Sequence, residues 1–259
     1  MLVRIKTKCS IFNKSKVACM LILDYLHTQV EAIFKNHPYR FFTEHDIHSE
    51  LALIATAMLQ KQGSLYSKTK DGFVVSRIHH EYPTPFRCDM KDYNFRMVTE
   101  EEFNRKRREK IKIRARRGFI DFVVLNLDFI SSDNLSVVSG KRYSSVLSSL
   151  RSQKYPALDL AVEVVYYPTF DEKSHKGIMQ RRVNSTVQDY KKLVAIMDFR
   201  CPTESPFCKE AAMLFFSNTA HEDTLKNMFH SFPEDKKVQL IRISKCQNKT
   251  GVIFQNNAR

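Results

Sequence analysis

Glycine and tryptophan are what this chain has least of: 6 Gly and no Trp in 259 residues. So little glycine leaves no phosphate-cradling loop, and neither a Walker motif nor a dinucleotide fingerprint occurs. No Ser or Cys sits in a nucleophile elbow. Long apolar runs are missing too. None reaches the roughly 18 residues that a transmembrane helix needs, and the run from Val17 to Leu26 is short and carries Asp24. Met1 to Lys16 has scattered lysines and no apolar core, so it does not read as a secretory signal. The 6 Cys, at positions 9, 19, 88, 201, 208 and 246, are dispersed. Cys201 and Cys208 stand too far apart for a zinc knuckle and no second pair answers them, so all six read as reduced thiols of a cytoplasmic protein. Acids are scarce as well: 42 Lys and Arg against 28 Asp and Glu leave a net charge of +14. That excess suits a polyanion partner such as nucleic acid, or an anionic membrane surface.

What is present is a pair of short apolar runs interrupted by acids. The first runs from Gly118 to Leu125 around Asp121, the second from Leu158 to Tyr167 around Glu163. Both are rich in β-branched and aromatic residues and short enough to be strands. Runs of this kind lie inside sheets covered on both faces. A carboxylate there is costly unless it is paired or holds a metal. Two such acids on neighbouring strands suggest one shared Mg²⁺ or Mn²⁺. The plainer alternative is that each pairs with a Lys or Arg at a strand end.

The remaining elements follow from pattern and punctuation. Residues 17–35 carry a helical apolar stripe that Pro38 stops. Thr43 with Asp46 resembles a capping box, opening a helix with the stripe Ile47, Leu51, Ile54, Met58 and ending at Gly63. Glu50 lies on the edge of that stripe, where it can lean toward a metal or stay solvated. Asp71-Gly72 reads as a turn and Phe73 to His80 as a strand. Two prolines, Pro83 and Pro85, then predict a rigid loop over residues 79–89, whose His79, His80 and Glu81 are candidate ligands or plain loop residues. A Ser-rich insertion, about residues 128–157, reads as an excursion from the sheet that covers the site, with a short helix over Ser144 to Leu150. Ser185 with Gln188 predicts the start of a helix whose face is Val187, Tyr190, Val194 and Met197. Ala211 to Phe216, Val238 to Ser244 and Gly251 to Phe254 read as strands, with a helix from Thr219 to Phe229.

Thr99 caps another helix, with Glu100, Glu101 and Glu102 in its first turn. The segment after them holds Arg105, Lys106, Arg107, Arg108, Lys110, Lys112, Arg114, Arg116 and Arg117, immediately before Asp121. Such density exceeds what solubility asks for, and phosphate contact without base specificity is its natural use. A solvated helix face and a disordered run are the other readings.

From residue 73 the order is three strands, helix, strand, helix, strand, strand. That order predicts an α/β fold with a mixed central sheet flanked by helices. Residues 1–42 form an N-terminal helical extension and 43–259 the α/β domain. With Asp121 in the second core strand, Glu163 in the third, and Gln188, Lys191 and Lys192 on the next helix, the chain resembles the PD-(D/E)XK nuclease superfamily, over roughly residues 43–245. The resemblance implies a restriction-endonuclease-like core in which Asp121, Glu163 and the carbonyl of Val164 hold Mg²⁺ or Mn²⁺, with Glu50 on the preceding helix. The family's Lys belongs two residues after the Glu, where this chain has Val165. Superfamily members that move this Lys to the following helix make Lys192, or Lys191, the expected catalytic cation beside Gln188. The implied activity is Mg²⁺-dependent hydrolysis of DNA, or less readily RNA, with a homodimer as one possible assembly and no membrane partner. A nuclease-shaped binding module that has lost catalysis, and an unrelated basic α/β protein, are the alternatives.

Overall fold

The computed structural model of the chain describes residues 14–37, 40–89, 95–112, 114–139, 154–167, 176–200, 205–217, 229–230, 232, 237–244 and 251–252. Helix α1 spans Lys14–Asn36 and α2 spans Glu44–Lys61. Thr43 starts α2: its hydroxyl accepts from the Asp46 N–H, and Asp46 accepts in return from Thr43 N at 2.8 Å. Strands β1 (Tyr66–Lys68) and β2 (Val74–Ser76) form a hairpin of their own around the turn at Gly72. Then come β3 (Ile78–Asp89), β4 (Arg96–Val98), α3 (Glu100–Arg108), β5 (Arg116–Leu125), α4 (Leu127–Ser132), α5 (Leu135–Val138), β6 (Leu158–Tyr167), α6 (Lys176–Asp198), β7 (Cys208–Ser217), β8 (Val238–Ser244) and β9 (Gly251–Val252).

Seven strands make one mixed sheet in the order β4-β3-β5-β6-β7-β8-β9. β3, β5 and β6 run antiparallel in turn, and β6, β7 and β8 run parallel. The β6-to-β7 step crosses through α6, as a parallel connection requires. The central strands are apolar along nearly their whole length because both sheet faces are covered. On one face α1 and α2 bury Leu26, Val30, Phe34, Ile47 and Leu51 against Phe122, Val162, Leu214 and Phe216. On the other, α6 brings Tyr190, Leu193 and Ile196 against Val123, Ala161 and Met213. Phe34 is fully buried, edge-on to Phe216 at 5.3 Å. Truncating such a ring to Ala costs about 3–5 kcal/mol. The N-terminal helix expected as an extension is thus one wall of the core from Ile22 onward.

Four other expectations change. The strand expected over Phe73 to His80 is broken at Arg77, which is buried and bonded to Asp159 and to the Leu125 carbonyl. The loop expected over residues 79–89 is the strand β3, prolines included. β4 pairs only with Arg87 to Asp89, so among the described residues Pro83 and Pro85 lie where β3 has no second strand beside it and no donor is missed. Helix α6 starts about ten residues before Ser185, because Val183 extends the apolar stripe backward from Val187. The local cap motif is overridden by that packing. Finally, residues 128–139 of the insertion do not overhang Asp121. They pack Phe129, Ile130 and Val138 into the core at the Leu125 end of β5. The helices expected over 144–150 and 219–229 fall outside the described residues, except for Phe229.

Candidate active site

Asp121 and Glu163 stand on neighbouring strands. The antiparallel register pairs Phe122 with Val162, which sets Asp121 against Glu163 one step further along. Asp121 is half-buried, and its Oδ2 accepts from the Val164 N–H at 2.9 Å. Glu163 is 2% exposed, and Lys192 Nζ lies 2.9 Å from its Oε1. That contact is an ion pair without an aligned hydrogen bond at Oε1. Lys192 is itself buried, and it donates to the Phe119 carbonyl at 2.8 Å and to Asp189 Oδ1 at 3.1 Å. So of the two helical lysines, Lys192 is the one that reaches the strand acids; Lys191 makes no ion pair with them among the described residues. Gln188, one turn before Lys192, is 5% exposed, and its Nε2 has no hydrogen-bond partner.

Helix α2 contributes two groups that the sequence did not single out. Glu44, His48 and Asp121 each offer a ligand atom, all within 4.8 Å of one another. His48 Nε2 is buried, has no hydrogen-bond partner and lies 3.8 Å from Asp121 Oδ2. His80 stacks on His48 at 6.1 Å, and His45 meets it edge-on at 5.7 Å. Glu44 and His48 are four residues apart, one helical turn, so they share a face. Glu50, the acid expected from this helix, is instead held by Arg40 at 2.7 Å. The acid of α2 within reach of Asp121 is Glu44.

The electrostatics are those of crowded carboxylates. Desolvation, then Asp121 and Asp189, push the Glu44 carboxyl up to about 7, with Arg182 opposing. Glu44 is exposed over much of its surface; the crowding of like charges is therefore the lasting part of that shift. Burial raises Glu163 and Asp189 as well. Lys192 is held protonated: burial opposes its charge, but Glu163, Asp189 and Asp121 outweigh it. Burial lowers His48, so its imidazole is neutral and keeps a lone pair for a ligand. Fully ionised, the four carboxylates (Glu44, Asp121, Glu163, Asp189) would exceed Lys192 and Arg182 by two negative charges. The raised pKa values of Glu44, Glu163 and Asp189 mean that protons offset part of that excess, and a divalent cation would offset it in their place. Ligands bound at about 2.1 Å stand at most roughly 4.2 Å apart, so a pair of the Glu44–His48–Asp121 set as wide as 4.8 Å would have to draw in by about 0.6 Å or more to share one ion. The Val164 carbonyl, expected as a ligand, belongs to the residue whose N–H is committed to Asp121.

The basic segment is part helix and part extended chain. Thr99 caps α3 through the Glu102 N–H. Within α3, Lys106 is bonded to Glu102 at 2.7 Å and Arg105 approaches Glu109 at 3.5 Å. Arg107, Arg108, Lys110, Lys112, Arg114 and Arg116 are exposed. Arg117 is half-buried and stands directly opposite Arg87 across the β3–β5 ladder. No protein-family model, curated protein or solved structure matches this chain.

Proposed function

We propose that this chain is a metal-dependent nuclease with a restriction-endonuclease-like core, hydrolysing phosphodiester bonds of DNA. The observation that carries the reading is the acid cluster around Asp121: crowded carboxylates with raised pKa values, a buried unpartnered His48 nitrogen, and a buried lysine set on Glu163. Buried polar atoms without partners are few in native proteins and ask for an explanation. A divalent ion and a phosphate answer these.

In this reading Asp121, Glu44 and His48 hold the cation, with Glu163 completing the acidic floor. The bound ion supplies Lewis acidity to the phosphoryl oxygen and makes an attacking water acidic. A nitrogen among the ligands suits Mn²⁺ better than the all-oxygen shell that Mg²⁺ prefers. Lys192 steadies charge growing on the phosphate, taking the place that Val165 cannot fill, and the Gln188 amide is the neutral donor beside it. The exposed cations from Arg107 to Arg116 engage the phosphate backbone without reading bases.

The test is cleavage of labelled linear DNA, plasmid and RNA in EDTA, Mg²⁺ and Mn²⁺. Cutting is expected with metal, strongest on DNA, and absent in Asp121→Asn. Binding of nucleic acid with no cutting in either metal would overturn the nuclease and leave a nuclease-shaped binding module.

A further inference from the structure

β5 leads away from Asp121 with an alternating pattern that the metal chemistry does not use. Gly118 and Ile120 are buried, while Arg117 and Asp121 are half-open and Phe119 is 47% exposed. Alternate residues of a strand share a face, so Asp121, Phe119 and Arg117 line one track at about 6.7 Å per step. Gly118 is the close-packed side of this pattern: a Cβ there would meet Cys88 Sγ at 2.6 Å and Thr84 Oγ1 at 2.9 Å. β5 therefore has no freedom to roll and bury Phe119. The backbone carbonyl of Phe119 accepts from Lys192, which also sits on Glu163, so the backbone of Phe119 is tied to the acids.

The track continues in cations. Arg117 lies 6.0 Å from the Phe119 ring centroid, and Arg87 faces Arg117 directly across the ladder. Like charges directly opposite are unfavourable in a sheet. Glu100 offsets Arg87 at 3.0 Å, and Arg117 keeps this end of the track positive. Arg116 falls on the other face of β5 by the same alternation, and Arg114 and Lys112 lie before the strand, all exposed. An exposed ring between an acidic cluster and arginine cations is the composition of a single-strand groove: cations follow the backbone, and the aromatic offers a face to a base. A base stacked in a duplex has neighbours about 3.4 Å away on the axis, which leaves no room for a phenyl ring. An unpaired base does have room.

Resting on the nuclease reading for the phosphate at Asp121, we propose that this site takes single-stranded nucleic acid, with Phe119 stacking on the base next to the phosphate at Asp121 and with Arg117 and Arg87 holding the following phosphates. The substrate class is thus an unpaired strand or a frayed end, not the interior of a duplex.

The experiment uses the full chain carrying Asp121→Asn, so that nothing is cut. It is titrated with a DNA oligonucleotide containing 2-aminopurine, with its duplex, and with an RNA of the same sequence. The expected result is tighter binding of the single strands than of the duplex, with quenched 2-aminopurine fluorescence. Adding Phe119→Ala should remove the quenching and weaken single-strand binding about fivefold or more, while duplex binding stays put. Phe119→Trp should restore both, and Phe119→Leu, which keeps the volume, guards against a misfolded Ala variant. Equal loss on single strand and duplex, or unchanged quenching in Phe119→Ala and Phe119→Leu, would overturn the proposal. The two readings separate cleanly. Quenching by the Asp121→Asn chain, together with a wild-type chain that cuts nothing in Mg²⁺ or Mn²⁺, sinks the nuclease alone. Cutting of a duplex interior at a rate indifferent to Phe119 sinks the single-strand groove alone.

Discussion

Replacing Lys192 by Met keeps the stem and deletes the charge, which makes it the sharpest probe of the buried cluster. Lys192 and Glu163 are 5% and 2% exposed, so solvent screens their 2.9 Å pair little. Removing one partner of a buried pair leaves the other uncompensated, at about 3–5 kcal/mol. At roughly 2–4 °C per kcal/mol for a chain of this size, the melting temperature should fall by about 6–20 °C at pH 8. Glu163 can escape the penalty by taking up a proton, since burial already raises its pKa. The sign follows: a folded-state acid with a raised pKa costs stability when ionised, so the Lys192→Met defect should shrink between pH 8 and pH 5. In Glu163→Gln/Lys192→Met the more deeply buried of the two stranded charges is gone, leaving only the more open Asp189, and a large part of the loss should return. Thermal and urea unfolding of the two single variants and the double, followed by circular dichroism at both pH values, gives the cycle. Additive single effects, or a Lys192→Met defect within about 0.5 kcal/mol of wild type, would show the pair to be no stronger than a surface salt bridge.

Two further outcomes are expected. Glu44 and Glu210 titrate near 7 when folded against a usual 4.5; the folded state holds extra protons between those values, and stability should fall as pH rises through that window. His48 and His79, lowered by burial from 6.5, pull the other way below that pH, so the informative quantity is a difference: Glu44→Gln should gain melting temperature over wild type as pH climbs from about 5 to 7, and parallel curves would refute the crowding. Neutralising Arg107, Arg108, Lys110 and Lys112 together should flatten the log–log salt dependence of nucleic-acid binding by up to about 2.8 on a single strand, or about 3.6 on a duplex; an unchanged slope would place the backbone elsewhere.

Much of this arrangement was legible in the residues because it is local. The Thr43–Asp46 box, the Thr99 cap and the two acid-bearing strands depend on neighbours in sequence, and they stand where the pattern places them. Lys192 was reachable because a helix following the Glu163 strand must lie back against it. Glu44 and His48 were not, although they sit four apart on one helical face. Their place beside Asp121 depends on where α2 crosses the sheet, which no periodicity encodes, and Glu50 looked nearer to the apolar stripe. Ser185 misled for the opposite reason: a short cap motif carries less weight than the Val183 and Val187 contacts that hold its backbone helical.

The prolines of β3 have a bearing on how copies of this chain can meet. Pro83 pairs with Phe119 and has no N–H to give, so it can occupy only a non-hydrogen-bonded position of that ladder. Its nitrogen then faces outward, and that of Pro85, two residues on, lies in the stretch that β4 leaves uncovered. An incoming strand would find carbonyls there and two absent donors in a row. Along the described residues this border of the sheet is closed to strand addition by another molecule, which guards an edge that no described strand covers against self-association. If the chain forms a dimer, its subunits must join through some surface other than this border.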